Sequence, residues 1–220
     1  MKALAEAAAL ARLQREKRAY QSHIKLMYEP AARSCRTCPT PGVCCTDAHF
    51  VNVHITRLEA VAIRETLART PRLDEAARRA VYSRAAATVA RYNLTTAGDT
   101  YAQTYSCPLF VPNVGCLVHT RAKPAPCIQH ACYDNWQDVP PTALQWRTER
   151  RVAQLNQQTY GPAWAWLPTP LWLTLVNPYA DTTDLARLIQ LWRTRRTSAR
   201  YTHAPRVARQ RRALPVLTPR

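Results

Sequence analysis

Glycine is scarce in this chain, 4 in 220 residues, and neither GxGxxG nor GxxxxGK occurs. That excludes the glycine-rich phosphate cradles of nucleotide-binding folds. Acidic residues are also few, 14 against 31 Lys and Arg, and too scattered to nominate a paired-carboxylate site. Serine is scarce and no GxSxG is present, so a nucleophile elbow is excluded. No low-complexity tract or repeat of roughly 20 to 50 residues is visible, which removes solenoids and propellers. Long apolar runs are missing too. The longest uncharged stretch, 152–180, is broken by Gln154, Asn156, Gln157, Pro162, Pro168 and Pro170, and is not expected to span a bilayer. Near the N-terminus Glu6, Arg12 and Arg15 interrupt the apolar core that a signal peptide needs. A cytoplasmic protein without a transmembrane segment is therefore expected.

What is present begins with charge. The formal net charge is +17, carried mostly by arginine, which pairs bidentately with phosphate and carboxylate. Residues 185–220 hold ten Arg and no acid. Arg206, Arg209, Arg211 and Arg212, followed by Pro215 and Pro219, predict a basic, flexible tail that docks on an acidic protein or a nucleic acid.

The 47% hydrophobic content is enough for a core, and its spacing is helical. Leu10, Leu13, Tyr20, Ile24 and Met27 lie three or four apart, interrupted only by Lys17, and predict a helix ending near Pro30. HFVNVH at 49–54 alternates as a short strand. Thr56 and Glu59 form a capping box opening a helix over 57–69. Pro71 ends it, and a second amphipathic helix follows from Leu73 to about Tyr92, with Arg78, Arg79, Arg84 and Arg91 on its outer face. Residues 93–135 are rich in proline and loops and are expected to need a cross-link. A helix over 142–159 precedes the Pro-interrupted AWAWLPTPLWLTLV, and a last helix starts at Thr183 or Asp184. Trp164, Trp166 and Trp172 are expected to cap the core.

The chemistry is concentrated in eight cysteines, in two quartets: Cys35, Cys38, Cys44 and Cys45, then Cys107, Cys116, Cys127 and Cys132. A CxxC turn lets two thiolates face one soft cation, and Pro39, Pro41 and Gly42 shape the approach to Cys44 and Cys45. Eight clustered cysteines in a reducing compartment point to a metal before disulfides, buried core thiols or a single catalytic thiol. All eight are candidate metal ligands. All-sulfur ligation suits two tetrahedral zinc ions, a [4Fe-4S] cluster or a polynuclear site, so the metal stays open between zinc and iron–sulfur. His49, His54, His119 and His130 lie nearby in sequence, His130 being the best-placed supporting donor.

The order CRTCPTPGVCC, VNVHITRLEAVAI, CPLFVPNVGCLVHTRAKPAPC and HACYDN resembles the YkgJ-type cysteine-cluster family, described as zinc- or iron-chelating domains. The likeness covers about residues 35–135. Cys35, Cys38, Cys44 and Cys45 match the CxxCxxCC motif, with a longer interval before Cys44. Glu59 matches the acid of the following helix, Cys107 to Phe110 the CPFL-like segment, and Cys116, Val118, Pro124 and Cys127 the last motif. His119 stands where the family has Tyr, Lys123 where it has Arg, and Ile128 where an Arg commonly follows the cysteine. The resemblance implies a compact cysteine-cluster fold binding zinc or an iron–sulfur cluster, in some relatives beside a methyl-transfer activity.

The expected architecture is mainly α with a short β element, a small loop-rich, metal-stabilised cysteine-cluster domain packed on helices. Its segments are an N-terminal amphipathic helix (1–34), the metal-binding domain (35–135), a Trp-rich helical extension (136–200) and the tail (201–220). The expected function is metal binding by a cysteine cluster with a basic surface. The alternatives are an iron–sulfur-dependent redox or methyl-transfer enzyme, and a zinc-stabilised adaptor for RNA or ribonucleoprotein. No catalytic residue is nominated.

Overall fold

The computed structural model describes residues 3–33, 40, 42–46, 52–97, 103–181 and 183–195. Cys35, Cys38, His49 and the 201–220 tail lie outside these. The described residues form a mainly helical protein with three two-stranded ladders.

Helix α1 (Glu6–Met27) turns Leu13, Tyr20 and Ile24 of the expected stripe inward, with Ala9 beside them, whereas Leu10 is half-buried and Met27, in the last turn, is exposed. It lies antiparallel to α5 (Thr142–Tyr160), as the contacts along it show. The Leu4 amide donates to the Gln158 carbonyl (2.9 Å) at one end, and Arg151 meets Glu16 (2.7 Å) further along. Helix α2 (Arg57–Arg69) opens with the expected capping box: Thr56 Oγ1 accepts from the Glu59 amide, and Glu59 Oε2 accepts from the Thr56 amide at 3.0 Å. Asn156 on α5 supplies another cap, its Oδ1 accepting from the Leu58 amide at 2.9 Å. Helix α3 (Glu75–Arg91) starts at Asp74, whose Oδ1 accepts from the Ala77 amide at 2.7 Å.

The proline-rich segments are more regular than their composition predicts. Residues 125–129 form a short helix, α4 (Ala125–Gln129), and the Trp-rich stretch becomes α6 (Thr169–Leu175). Pro126 and Pro170 sit in the first turns, where the missing N–H would have no intrahelical partner. Trp172 is fully buried on α6 and packs 5.9 Å from Trp192 of α7 (Thr183–Arg195). The strand expected over 49–54 is a two-residue β2 (His54–Ile55) paired antiparallel with β6 (Leu167–Pro168); residues 49–51 lie outside the described residues.

One apolar core joins α2, α3 and α6 to the cysteine-bearing segment. Ile55, Ile63, Leu67, Val81, Leu109, Leu117, Val118, Leu171 and Trp172 all belong to it. The loop-rich segment expected to need a cross-link also contributes apolar side chains to this core. Leu109 and Val118 are almost fully buried, and Tyr105 completely so, because the loops run over the core instead of away from it.

Candidate metal centre

Four separate stretches of chain carry five of the six described thiols. A 3₁₀ turn over Val43–Cys45 carries Cys44 and Cys45. A hairpin of β3 (Phe110–Val111) and β4 (Gly115–Cys116) carries Cys116, and pairs it with Phe110. Cys107 leads into that hairpin, its amide donating to the Cys45 carbonyl at 2.8 Å. That bond ties the first quartet to the second. Cys127 sits in the middle of α4, whose last carbonyls are followed by His130.

Gly42 makes this approach possible. Its φ of +83° is left-handed, and a Cβ there would lie 1.9 Å from Cζ of Phe110. Only glycine lets the Cys44 turn rest on the Phe110 ring. Gly42→Ala is expected to cost about 2 kcal/mol or more from strain and overlap, lowering the melting temperature by about 4–8 °C. In a Phe110→Ala background the added cost should shrink, since the overlap goes and the φ penalty stays. Equal costs in both backgrounds would show that the ring contact does not position the turn.

The thiols are electrically coupled. Cys44 shares a side-chain hydrogen bond with Cys45 and another with His130, and both hold its thiol far below the usual range. The Cys44 bond, then burial, then the charges of Cys44, Cys107 and Cys127 push Cys45 up. Ionising one thiol of the pair therefore opposes ionising the other. Burial, opposed in part by backbone hydrogen bonds for Cys107, pushes Cys107 and Cys127 up to about 12. Cys116 rises as well, by burial first, with the charge of Cys44 contributing. Burial and neighbouring thiols thus both oppose ionisation of Cys45, Cys107, Cys116 and Cys127.

The eight cysteines are not all brought to one place. Cys132 is exposed, on β5 (Cys132–Tyr133), opposite Arg33 of β1 (Ala32–Arg33). Cys44, Cys45, Cys107, Cys116 and Cys127 are free thiols. Among the described residues, no group of three or more Cys, His, Asp or Glu side chains is placed to hold a metal ion. Of the histidines, His130 reaches Cys44, whereas His54 is buried at β2. His119 is exposed, and partial desolvation followed by the nearby Lys123 charge lowers its pKa.

Three supporting residues escape a reading by composition. Lys17, an apparent interruption of the apolar face of α1, is buried and pairs with Glu59 at 2.6 Å. Its Nζ also donates to the Lys123 carbonyl at 3.0 Å, at the start of the turn leading to Cys127. Arg84, expected on the outer face of α3, is instead half-buried and donates twice to the Pro108 carbonyl, at 3.2 and 2.9 Å. Those bonds pin the residue next to Cys107 and place a guanidinium near its sulfur, which favours the thiolate. The third is Phe110, whose ring packs on Gly42, the glycine expected to shape the turn to Cys44. A lone charge at a core position of α1 and a glycine before Cys44 are the signals visible in sequence.

No protein-family model, curated protein or solved structure matches this chain. Among the described residues, no helix is long and apolar enough to cross a membrane.

Proposed function

We propose that this chain is a cysteine-cluster metalloprotein that binds a soft metal, as zinc or as an iron–sulfur cluster, through thiolates of its two quartets. The observation that carries this reading is the Cys107 amide to Cys45 carbonyl bond at 2.8 Å, which holds the Cys44–Cys45 turn against the segment that leads to Cys116. Packing thiols at this density without disulfides costs repulsion whenever more than one ionises, and a thiophilic cation removes that cost. The likeness to the YkgJ-type cysteine-cluster family supports the same reading. Cys35 and Cys38 complete the ligand set in this proposal. The basic 185–220 region is proposed as the dock for an acidic protein or a nucleic acid, and cytoplasm as the compartment.

The test is elemental analysis with an ultraviolet and visible spectrum on protein purified without oxygen. About two zinc per chain and no colour would fit closed tetrahedral sites. Iron with acid-labile sulfide and visible charge-transfer bands would make the protein an electron carrier or a cluster-dependent redox or methyl-transfer enzyme. Less than one metal per three chains, with the thiols oxidised in pairs, would refute metal binding in either form.

A further inference from the structure

We infer that the junction of α1, α2 and α5 binds a phosphate dianion, free or as the terminal group of a phosphate monoester, at a site distinct from the cysteine cluster. The junction is built from helix ends. The Asn156 side chain of α5 reaches the first turn of α2, where its Oδ1 accepts from the Leu58 amide at 2.9 Å. Arg57, the residue before Leu58, is half-buried and lays its guanidinium 4.1 Å from the ring centroid of Tyr160. Asn156 and Tyr160 are one turn apart on the same face of α5, so the amide and the guanidinium share one corner of the fold. Asn156 is fully buried, and its Nδ2 meets no acceptor among the described residues. The buried Nε of Arg57 meets none either. Two desolvated donors without an acceptor carry a cost that an oxygen-rich ligand removes.

The charge around these donors specifies the ligand. Burial is the first cause that lowers the Arg57 pKa, and although Tyr160 and Glu6 oppose it, the charges of Arg64 and Arg193 lower it further. Arg64 lies seven residues after Arg57, on the same face of α2, and is half-buried, whereas Arg193 comes from α7 and is exposed. Three guanidiniums thus share this corner with one carboxylate, Glu6, which accepts from the Tyr160 hydroxyl at 2.5 Å. The other acids of α2 are committed elsewhere, Glu59 to Lys17 at 2.6 Å and Glu65 to Arg69 at 3.1 Å. The positive excess matches a phosphate monoester, which carries about −1.5 to −2 at neutral pH, and exceeds what a carboxylate or a phosphodiester supplies. The N-terminus of α2 adds its partial positive charge to the same corner. A water satisfies the donors but leaves the three cations repelling one another. Entry of the ligand requires the Arg57 side chain to turn off the Tyr160 ring, and its Nε–H has no hydrogen bond to break when it does.

The experiment is isothermal titration calorimetry on the full-length protein in phosphate-free buffer, with inorganic phosphate, methyl phosphate, dimethyl phosphate and acetate as probes. Inorganic phosphate should bind about tenfold tighter, or more, than dimethyl phosphate or acetate, each of which carries a single charge. Methyl phosphate binding as tightly as phosphate would assign the site to a monoester, and binding of phosphate alone would assign it to the free ion; both support the dianion. Arg64→Gln should weaken phosphate about tenfold, and the exposed Arg193→Gln about threefold. Asn156→Asp keeps the oxygen that caps the Leu58 amide but replaces the donor with a carboxylate, and should abolish binding while the circular dichroism spectrum stays parental. Arg193→Gln keeps the test open should either buried variant fail to fold, because Arg193 faces solvent. No phosphate binding by the parent would overturn the proposal and leave the two donors to water. Parental affinity in both arginine variants would overturn it by placing the anion elsewhere on the chain. Dimethyl phosphate binding as tightly as phosphate would also overturn it, since the site would then read a single charge.

Discussion

Cys127→Ser is expected to remove most of the bound metal and to lower the melting temperature by about 8–16 °C. The serine hydroxyl is nearly isosteric with the thiol but is a poor ligand for a soft cation, so the substitution isolates coordination from packing. Cys127 sits in α4, where burial keeps its thiol protonated up to about 12 in the absence of a cation. Binding a metal therefore releases that proton, and the free energy of binding becomes folding free energy for the segment. A loss on the order of 4 kcal/mol stands at the upper end for single substitutions, where metal loss belongs. For a chain of this length it corresponds to the stated shift. The check is a cycle with a chelator: parent and variant are melted before and after metal removal. The variant should cost little once the parent has been stripped. If it costs as much in stripped protein as in loaded protein, Cys127 is a packing residue and not a ligand.

The same dependence explains why some of the structure is legible in sequence and some is not. Helix α2 is announced by Thr56 and Glu59, because a capping box is a local device whose two hydrogen bonds close within three residues. Helix α1 is announced by its stripe. The helices α4 and α6 are hidden by Pro126 and Pro170, which signal a break when the helix start is unknown and a first turn when it is known. A link between the Cys44–Cys45 turn and the segment that begins at Cys107 is suggested by the count and spacing of cysteines. The means of association is not, since the Cys107 amide to Cys45 carbonyl bond and the Gly42–Phe110 contact join residues more than sixty positions apart. Arg84 illustrates the same limit. Its place on the polar side of α3 is correct as periodicity, yet the 103–110 segment covers that side and turns an outward charge into an anchor for the Pro108 carbonyl.

Glu59→Gln should destabilise the protein by about 3–5 kcal/mol, lowering the melting temperature by about 6–20 °C, although glutamine retains the capping geometry. The side-chain oxygen that accepts from the Thr56 amide is present in both residues, so the cap survives. The variant removes the negative charge facing Lys17, both partners being about 95% buried or more. A buried ammonium without its carboxylate keeps its desolvation cost and loses the attraction that offset it. Lys17→Met should cost a similar amount by leaving the Glu59 carboxylate alone, and would also free the Lys123 carbonyl. The double variant Lys17→Met with Glu59→Gln should be markedly more stable than the sum of the singles, because it strands no charge. Metal content separates two consequences. The ammonium lies within electrostatic reach of Cys127 and fixes the start of the 123–127 turn, so Lys17→Met should weaken metal retention as well as stability. Additive single costs would mean that the pair contributes no coupling. Unchanged metal content in Lys17→Met would confine it to joining α1 to α2, with no part in holding the Cys127 turn.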